Sequence, residues 1–280
     1  MPPRKLSSPD PIVLLTDFGY RDHYAGVMRG VIATIAPGAH VIDLTHGIPP
    51  QSVTAGAIAL AQSWRYFPPH SIFVGVVDPG VGTERLPIAI ETAAGTRFIG
   101  PDNGLLTLAA DAAGFKRAVE LHEPRYRLDY VSATFHGRDI FAPAAAHLSS
   151  GVRLAAFGPA IRPLTRIDPA GGVVEQSDAL HGAIIYIDGF GNLITNLDRN
   201  HIAEFAARFR GRRLLARIKR GAPIPIHAAY GHASPGAALA TFGSFDLLEI
   251  AVRDGNAASH FRASPGMAVT LRVDPRSSDG

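Results

Sequence analysis

An apolar run at residues 71–77 that ends in a polar turn is the feature that most constrains the fold of this chain. Seven residues are a usual length for a strand, and a strand that is apolar on both faces is typical of a buried parallel sheet. Asp78 follows the run directly, and a proline and two glycines then turn the chain sharply before Arg85. Because open α/β sheets bind ligands at the carboxyl ends of their strands, the turn is a candidate binding site. A surface ion pair between Asp78 and Arg85 across a tight turn is an equally good explanation of these residues.

Segments typical of strands and of helices alternate along the first part of the chain. Strands are predicted at residues 12–16, 40–44, 71–77, 86–92 and 96–99. Helices are predicted at residues 24–35, 53–66, 105–113 and 139–148. This alternation predicts an α/β domain over residues 11–168, with a mainly parallel sheet and helices on its faces.

The pattern changes after about residue 165, and Gly171-Gly172 is a candidate boundary. Short strands separated by turn signals are predicted at residues 181–187, 193–196, 213–218, 237–241, 247–252 and 267–273. Helical spacing is confined to residues 202–209. Residues 175–280 are therefore predicted to form a small β-barrel or sandwich.

Composition excludes several classes of protein. The chain has 280 residues, is 46% hydrophobic and contains no cysteine, so disulfides, thiolate catalysis and cysteine-bound metals are excluded. No apolar run approaches the roughly 20 residues of a membrane span. Residues 1–10 are polar and proline-rich, which indicates a short disordered arm on a cytoplasmic protein. The basic segment at residues 208–220 carries one aromatic residue, Phe209, so a solvated face is favoured over a nucleic-acid site.

Five short motifs carry polar groups that a core does not need. They are Thr-Asp-Phe-Gly at 16–19, Asp78 with Arg85, Pro-Asp-Asn-Gly at 101–104, Phe-His-Gly-Arg-Asp at 135–139 and Asp-Gly-Phe-Gly-Asn at 188–192. Structural roles are open for each: Asp17 and Asp139 as helix caps, Asn103 in a turn, and His136 as a partly buried imidazole. Several such motifs at strand ends in one domain are harder to explain as caps and turns.

Other common chemistries fit these motifs less well. Asp17, His46, Asp78, His136 and Asp139 are possible metal ligands, but they lack the usual ligand spacing and Arg85 would oppose a cation, so no metal is expected. The Gly-Val-Gly at 80–82 lacks the third glycine of a phosphate loop, and the chain has no Gly-x-Ser-x-Gly.

An acid, a guanidinium and an imidazole remain as candidates for one cleft. Asp78 and Arg85 can pair, and with His136 they can hold a water molecule by hydrogen bonds. A carboxylate such as Asp17 suits the two hydroxyls of a ribose. Phe190 offers a stacking face and Asn192 an amide for the edge of a base. The motifs therefore predict a substrate that contains a nucleoside.

The same motifs resemble those of a known family. With Asp-Leu-Thr-His at 43–46, and with Gly-Ser at 243–244 ahead of Leu-Glu-Ile-Ala at 248–251, the chain resembles the S-adenosyl-L-methionine (SAM) hydroxide adenosyltransferases. These SAM hydrolases are related to the fluorinating and chlorinating enzymes. The resemblance runs from about residue 12 to residue 273.

The resemblance implies a fold, an assembly and a reaction. The fold is a Rossmann-like N-terminal α/β domain followed by a C-terminal β-barrel. The assembly is a homotrimer in which SAM lies between the N-terminal domain of one subunit and the C-terminal domain of the next. The reaction converts SAM and water to adenosine and methionine; SAM is the substrate, and no cofactor, nucleic acid or membrane is expected.

The resemblance also assigns residues. The catalytic set falls on Asp78, Arg85 and His136. The substrate-binding positions are Asp17 for the ribose, Asp188 and Ser244 for methionine, Phe190 and Asn192 with backbone near Asn256 and Ala258 for adenine, and Phe18 and Asn103 within their motifs.

Two alternatives remain open at this point. Halogenating relatives typically carry Tyr-Ser where this chain has His136-Gly137, and a non-acidic residue in place of Asp78, whose carboxylate would repel a halide. They also have an arginine where this chain has Phe245, so the binding of the methionine carboxylate is less defined. The second alternative is a protein that binds adenosine or SAM without catalysis.

Overall fold

The computed structural model describes residues 9–169, 171–209 and 212–274. The chain divides into two compact units, Met1–Ile167 and Asp168–Gly280. Of the predicted arm at residues 1–10, the first eight residues lie outside the described part. Within the described ranges, no helix has both the length and the apolar character that crossing a membrane requires.

The N-terminal unit alternates strands and helices, as predicted. Its strands are β1 (Ile12–Thr16), β2 (Val41–Thr45), β3 (Ile72–Val76), β4 (Pro87–Thr92), β5 (Arg97–Pro101) and β6 (Phe115–Glu120). Its helices are α1 (Tyr24–Ile35), α2 (Val53–Ser63), α3 (Thr107–Ala112) and α4 (Ala142–Ser149). One π-helical turn, Gly137–Phe141, leads directly into α4.

The sheet of this unit is mixed: four of its six strands form the predicted parallel part, and the remaining two bring antiparallel pairing that was not predicted. Its strand order is β2-β1-β3-β5-β4-β6. β1, β2, β3 and β5 are parallel, whereas β4 runs antiparallel to both β5 and β6. The cause is the short turn between β4 and β5, where Thr92 donates its N–H to the carbonyl of Thr96 over 3.2 Å. A turn of that length joins antiparallel strands, since a parallel pair needs a crossover of a dozen residues or more.

Helices cover both faces of the sheet. All five residues of β1 and of β3 are buried, as the apolar runs predict for central strands. Met28 and Ile32 of α1 pack with α4 on one face. On the other face, Gly56 of α2 lies so close to Leu105 that a Cβ at this position would come within 2.7 Å of the leucine. A core of this kind fixes the strand ends, and thereby the loops that follow them.

The C-terminal unit is an antiparallel sheet that curves almost into a barrel. Its elements are β7 (Val174–Gln176), β8 (Ala179–Ile187), β9 (Leu193–Asp198), α5 (Arg199–Ala207), β10 (Leu214–Ile218), β11 (Ile224–Pro225), β12 (Ala238–Phe242), β13 (Leu247–Val252), α6 (Ala257–Phe261) and β14 (Ala268–Val273). The strand order is β11-β10-β14-β8-β9-β13-β12, and β7 pairs with β8. A bridge between Ile226 and Ala240 brings the two ends of this order together. The expected small β-barrel is thus found in a nearly closed form.

Candidate active site

Parallel strands bring three of the predicted site residues to one edge of the N-terminal sheet. β1, β3 and β5 are neighbours that run in the same direction, so their carboxyl ends meet at one edge. Asp17, Asp78 and Asn103 follow these three strands within one or two residues of their ends. The edge therefore gathers motifs that are far apart in sequence, as ligand sites in open α/β sheets do.

Asp78, Arg85 and His136 form one contiguous polar cluster. Arg85 Nε donates to Asp78 Oδ1 and Oδ2 over 3.0 and 3.1 Å, and Arg85 Nη2 lies 2.5 Å from Oδ2. Nη2 also lies 2.7 Å from His136 Nδ1. The side chains of Asp78 and Arg85 are 5% and 9% exposed, so water screens the pair much less than a surface ion pair. The surface ion pair considered from the sequence is therefore excluded.

The guanidinium determines which nitrogen of His136 carries the proton. Arg85 is permanently charged and only donates, so Nδ1 of His136 must accept and the proton of the neutral ring lies on Nε2. Burial, followed by the charge of Arg85, lowers the pKa of His136 below its usual value and outweighs the opposing effect of Asp78. The imidazole is therefore neutral at neutral pH. Arg85 Nη1 is buried without a hydrogen-bond partner among the described residues, which leaves a donor free at the cluster.

Close approach of two loops holds the cluster together. Gly82 has a φ of 77°, and a Cβ there would lie 2.4 Å from the carbonyl oxygen of Ala133, in the loop that precedes His136. Only glycine allows both the conformation and the contact. Asp139, which is fully buried, accepts a hydrogen bond from the backbone N–H of Ser132 over 2.9 Å and anchors the same loop. Asp139 is therefore not the helix cap considered from the sequence.

A buried network holds the loop of Asp17. Thr16 Oγ1 lies 2.8 Å from Nδ1 of His46 and accepts the N–H of Phe18 over 3.2 Å. The other ring nitrogen of His46 faces Asp43 Oδ1 at 3.3 Å. Both Thr16 and His46 are fully buried. Thr16 and His46 thus fix the backbone on either side of Asp17, a role that the sequence analysis missed.

Asp17 and Phe18 lie beside the carboxyl end of β1, and neither caps α1. The residue before α1 makes no side-chain cap, whereas Asp17 Oδ2 accepts the N–H of Gln51 over 2.8 Å. Phe18 packs edge-on against Phe135, with ring centroids 5.7 Å apart. One wall of this edge of the sheet is therefore aromatic, and one oxygen of Asp17 has no hydrogen bond to another described residue.

Asn103 braces the strand that carries Asp78. Its amide nitrogen donates to the carbonyl of Val77 over 2.9 Å, and its oxygen accepts the N–H of Leu105 over 3.1 Å. Both ends of the side chain are thus used within the protein. Asn103 thus has the structural role in a turn that the sequence analysis considered. Contact of Asn103 with a substrate stays a prediction.

In the C-terminal unit, Asp188 organises its own loop. Oδ1 accepts the backbone N–H of Phe190 and of Asn192 over 2.9 and 2.8 Å, and Oδ2 accepts the side-chain amide of Asn192 over 2.9 Å. This arrangement leaves Phe190 at the loop tip with 82% of its surface exposed. An exposed aromatic ring on a loop held by hydrogen bonds is accessible for stacking on a flat ligand.

The remaining predicted residues lie in the segments before and after β13. Asn256 caps α6 by accepting the N–H of Ser259 over 2.8 Å, and the N–H of Ala258 donates to the carbonyl of Gly191 over 2.9 Å. Ser244 is exposed in the turn between β12 and β13. Asn256 and Ala258 are thus joined to the Asp188 loop, whereas no hydrogen bond joins Ser244 to it among the described residues.

A buried acid lies beside that turn and was missed by sequence reasoning. Glu249 is bonded to the hydroxyl of Tyr230, and its carboxylate lies against Gly243, where a Cβ would come within 2.3 Å of it. Burial raises the pKa of Glu249, and the charge of Asp188 raises it further. The Leu-Glu-Ile-Ala motif therefore has a local structural role in shaping the turn of Ser244.

The described residues give no metal site. No group of three or more His, Asp or Glu side chains in the described ranges is arranged to hold a metal ion. Of the five possible ligands named from the sequence, Asp78 and His136 instead share Arg85 between them. A guanidinium in that position disfavours a cation.

Two family models cover most of the chain. Residues 12–158 match the SAM hydroxide adenosyltransferase N-terminal domain, and residues 182–270 match the C-terminal domain of the same family. A crystal structure of an uncharacterized conserved protein from Thermotoga maritima is 33% identical, with a TM-score of 0.86 over 93% of this chain and 99% of that one.

Curated relatives match over nearly their whole length. An (R)-S-adenosyl-L-methionine hydrolase of Thermus thermophilus is 38% identical over 93% of this chain and 99% of its own. A protein of the same name from Salinispora arenicola is 42% identical over 91% of this chain and 95% of its own. A fluorinase of Nocardia brasiliensis is more distant, at 24% identity over 94% of this chain and 96% of its own. From these matches and the site geometry, the chain belongs to the SAM hydroxide adenosyltransferase family.

Proposed function

We propose that this protein hydrolyses SAM to adenosine and methionine. The observation that carries the proposal is the contact of Asp78, Arg85 and His136 at the carboxyl edge of the sheet. The relatives named (R)-S-adenosyl-L-methionine hydrolase, which match over most of their length, support the same activity. We extend the proposal to the (R) epimer of the sulfonium on the basis of those names.

The proposed reaction is an in-line displacement at C5′ of the ribose. The oxygen of one water molecule forms a bond to C5′ while the bond from C5′ to sulfur breaks. The electron pair of that bond goes to sulfur, so methionine leaves as a neutral thioether and needs no acid. Water, with a pKa of about 15.7, loses one proton, which the protein must accept. Adenosine, methionine and one proton are the products.

The geometry favours Asp78 over His136 as the group that accepts this proton. Nδ1 of His136 is occupied by Arg85, and Nε2 of the neutral ring already carries a proton. Asp78 retains lone pairs beyond those bonded to Arg85, since a carboxylate has about four acceptor positions. We therefore assign orientation of the water to Arg85 and His136, and acceptance of its proton to Asp78.

We assign the substrate contacts from the family resemblance, and the exposed or free groups of the site are compatible with them. We assign the free oxygen of Asp17 to the ribose hydroxyls, the exposed ring of Phe190 to stacking on adenine, and Asp188 with Ser244 to the methionine end. Because Asp188 also holds its own loop, replacing it removes a loop anchor as well as a charge. We further propose, from the family resemblance, that the protein is a homotrimer in which the C-terminal unit of a neighbouring subunit completes each site.

Incubation of the purified protein with each SAM epimer tests the activity. The expected result is the formation of adenosine and methionine in equal amounts from the (R) epimer, as measured by chromatography. Parallel reactions with fluoride or chloride test the halogenase alternative, in which 5′-halo-5′-deoxyadenosine would replace adenosine. Bound but intact SAM after prolonged incubation would contradict the proposal and favour a protein that only binds it.

A further inference from the structure

A basic groove lies on the N-terminal unit at the sheet edge opposite to the candidate active site. It has a volume of about 690 Å³ and is lined by residues 70, 91–93, 95, 97, 116–117, 148 and 151–155. Arg97 begins β5, whereas the candidate active site follows the end of that strand. The groove is thus separated from the Asp78 cluster by the length of the strands, and its size is that of a small-ligand site.

Positive charge dominates the lining of this groove. Among the described residues that line it are four cations, Arg97, Lys116, Arg117 and Arg153, and one carboxylate, Glu91. Arg97 is paired with Asp10 at 2.5 Å, so the excess positive charge belongs to Lys116, Arg117 and Arg153. Lys116 and Arg117 share that carboxylate at 2.9 and 2.6 Å, so one negative charge faces two positive ones. The exposed Arg153 makes no ion pair with a described residue. An unneutralised charge of this kind is available for an anion.

Two further observations favour a binding role. His70, at the rim, has a φ of 67°, and its ring lies 3.0 Å from the position of a Cβ on Gly95, whose φ is 84°. A non-glycine residue in the left-handed region is strained, and such strain concentrates at functional sites. Burial acts to raise the pKa of Glu91, but the hydrogen bonds and charges of Lys116 and Arg117 lower it overall. A positive local potential produces this result.

We propose that this groove binds a small ligand with two or more phosphoryl groups, and that Arg117 and Arg153 contact the phosphoryl oxygens. Guanidinium groups match phosphoryl oxygens in pairs, and the exposed cations require no large rearrangement to reach them. The ligand is separate from the substrate of the proposed reaction. The inference therefore does not depend on the proposed function and can be tested without SAM.

Calorimetric titration with tripolyphosphate tests the site. Arg153→Gln and Arg117→Gln should each weaken binding about fivefold or more, and added salt should weaken it further. Arg220→Gln, an equal loss of charge in the C-terminal unit, is the matched control and should leave binding unchanged. Glu91→Gln should tighten binding, since it removes the carboxylate that competes with the ligand; a damaged fold cannot produce that result.

Three outcomes would overturn the inference. The first is that the wild-type protein does not bind tripolyphosphate at millimolar concentration. The second is that Arg153→Gln binds it as tightly as wild type. The third is that a short oligonucleotide binds more tightly and displaces tripolyphosphate from the protein. The last result would replace the small ligand by a nucleic acid. Citrate serves as a second titrant, and binding as tight as that of tripolyphosphate would contradict the preference for phosphoryl groups.

Discussion

Asp78 is the side chain on which the proposed chemistry depends most directly. It is almost fully buried, and Arg85 holds its carboxylate through two nitrogens. Asp78→Asn keeps the size of the side chain and removes the proton acceptor, so turnover of SAM should fall by about 10²–10⁴. Asp102→Asn is the matched control, because Asp102 lies at the same sheet edge and bonds instead to the N–H of Thr165 over 2.9 Å. Near-normal turnover of Asp78→Asn in a chromatographic assay would remove the assignment.

His136 gives the reaction a pH dependence whose direction can be worked out. The imidazole must be neutral to accept from Arg85, and its pKa is lowered from the ordinary 6.5. As the pH falls, kcat/KM should therefore stay constant through 6.5 and decline only at a lower pH, where the ring takes up a proton. His136→Asn keeps an acceptor for Arg85 but does not titrate, so this decline should move to the range of the carboxylates. A decline centred at pH 6.5 or above, or one unchanged in His136→Asn, would contradict the argument.

His46 acts at a distance from the proposed reaction, through the loop of Asp17. Nδ1 of its ring is hydrogen-bonded to Thr16 Oγ1, which accepts the N–H of Phe18. His46→Leu should free this loop and raise KM for SAM about tenfold while kcat changes little, because the residue does not touch the reacting atoms. His46→Asn keeps an acceptor near the position of Nδ1 and should restore most of the affinity. A loss confined to kcat, or no difference between the two variants, would contradict a positioning role.

At the scale of the elements, Gly82 links the turn of Asp78 to the loop of His136. Gly82→Ala adds a methyl group 2.4 Å from a carbonyl oxygen, in a backbone conformation with φ of 77°. Gly236→Ala is the matched control, since its φ is 75° but no atom lies within 4 Å. The control should lose about 1 kcal/mol of unfolding free energy, from backbone strain alone. Gly82→Ala should lose more and also lower turnover, as measured by denaturant unfolding and by the SAM assay.

Strands and helices with a strong pattern could be predicted from the sequence, and elements with a weak one could not. β1 and β3 are apolar throughout and were predicted to within two residues. β6 was missed because Lys116 and Arg117 interrupt its apolar pattern at the edge of the sheet. The π-helical turn at Gly137–Phe141 was missed as well, since the spacing of apolar residues does not separate it from the start of an α-helix.

The site could be predicted where motifs recur at strand ends, and not where a residue works from inside the core. Asp78, Arg85 and His136 were grouped correctly because each lies in a polar motif that a core does not need. Thr16 and Glu249 were not assigned, because their partners His46 and Tyr230 lie 30 and 19 residues away in the chain. Only the packed structure brings such pairs together. The antiparallel course of β4 was missed for a related reason, since strand direction depends on pairing that spacing does not reveal.

At the scale of the whole molecule, the proposed trimer makes a quantitative prediction. Asp78→Asn alters the N-terminal unit, and Asp188→Ala alters the C-terminal unit, so each variant alone should be nearly inactive. If each site takes one unit from each of two subunits, every mixed trimer has one site built from two unaltered units. Random co-assembly of equal amounts should then restore about a quarter of wild-type turnover.

Co-expression of the two variants with different affinity tags, followed by the SAM assay, measures this recovery. Co-expression of Asp78→Asn with Asp78→Ala is the control, because both changes remove the proposed proton acceptor in the N-terminal unit and no combination of these subunits contains an unaltered site. Recovery to about a quarter with the first pair and none with the second would support shared sites, and sedimentation would establish whether the assembly has three chains. No recovery with either pair, from subunits shown by their tags to have co-assembled, would mean that each chain builds its site from its own two units.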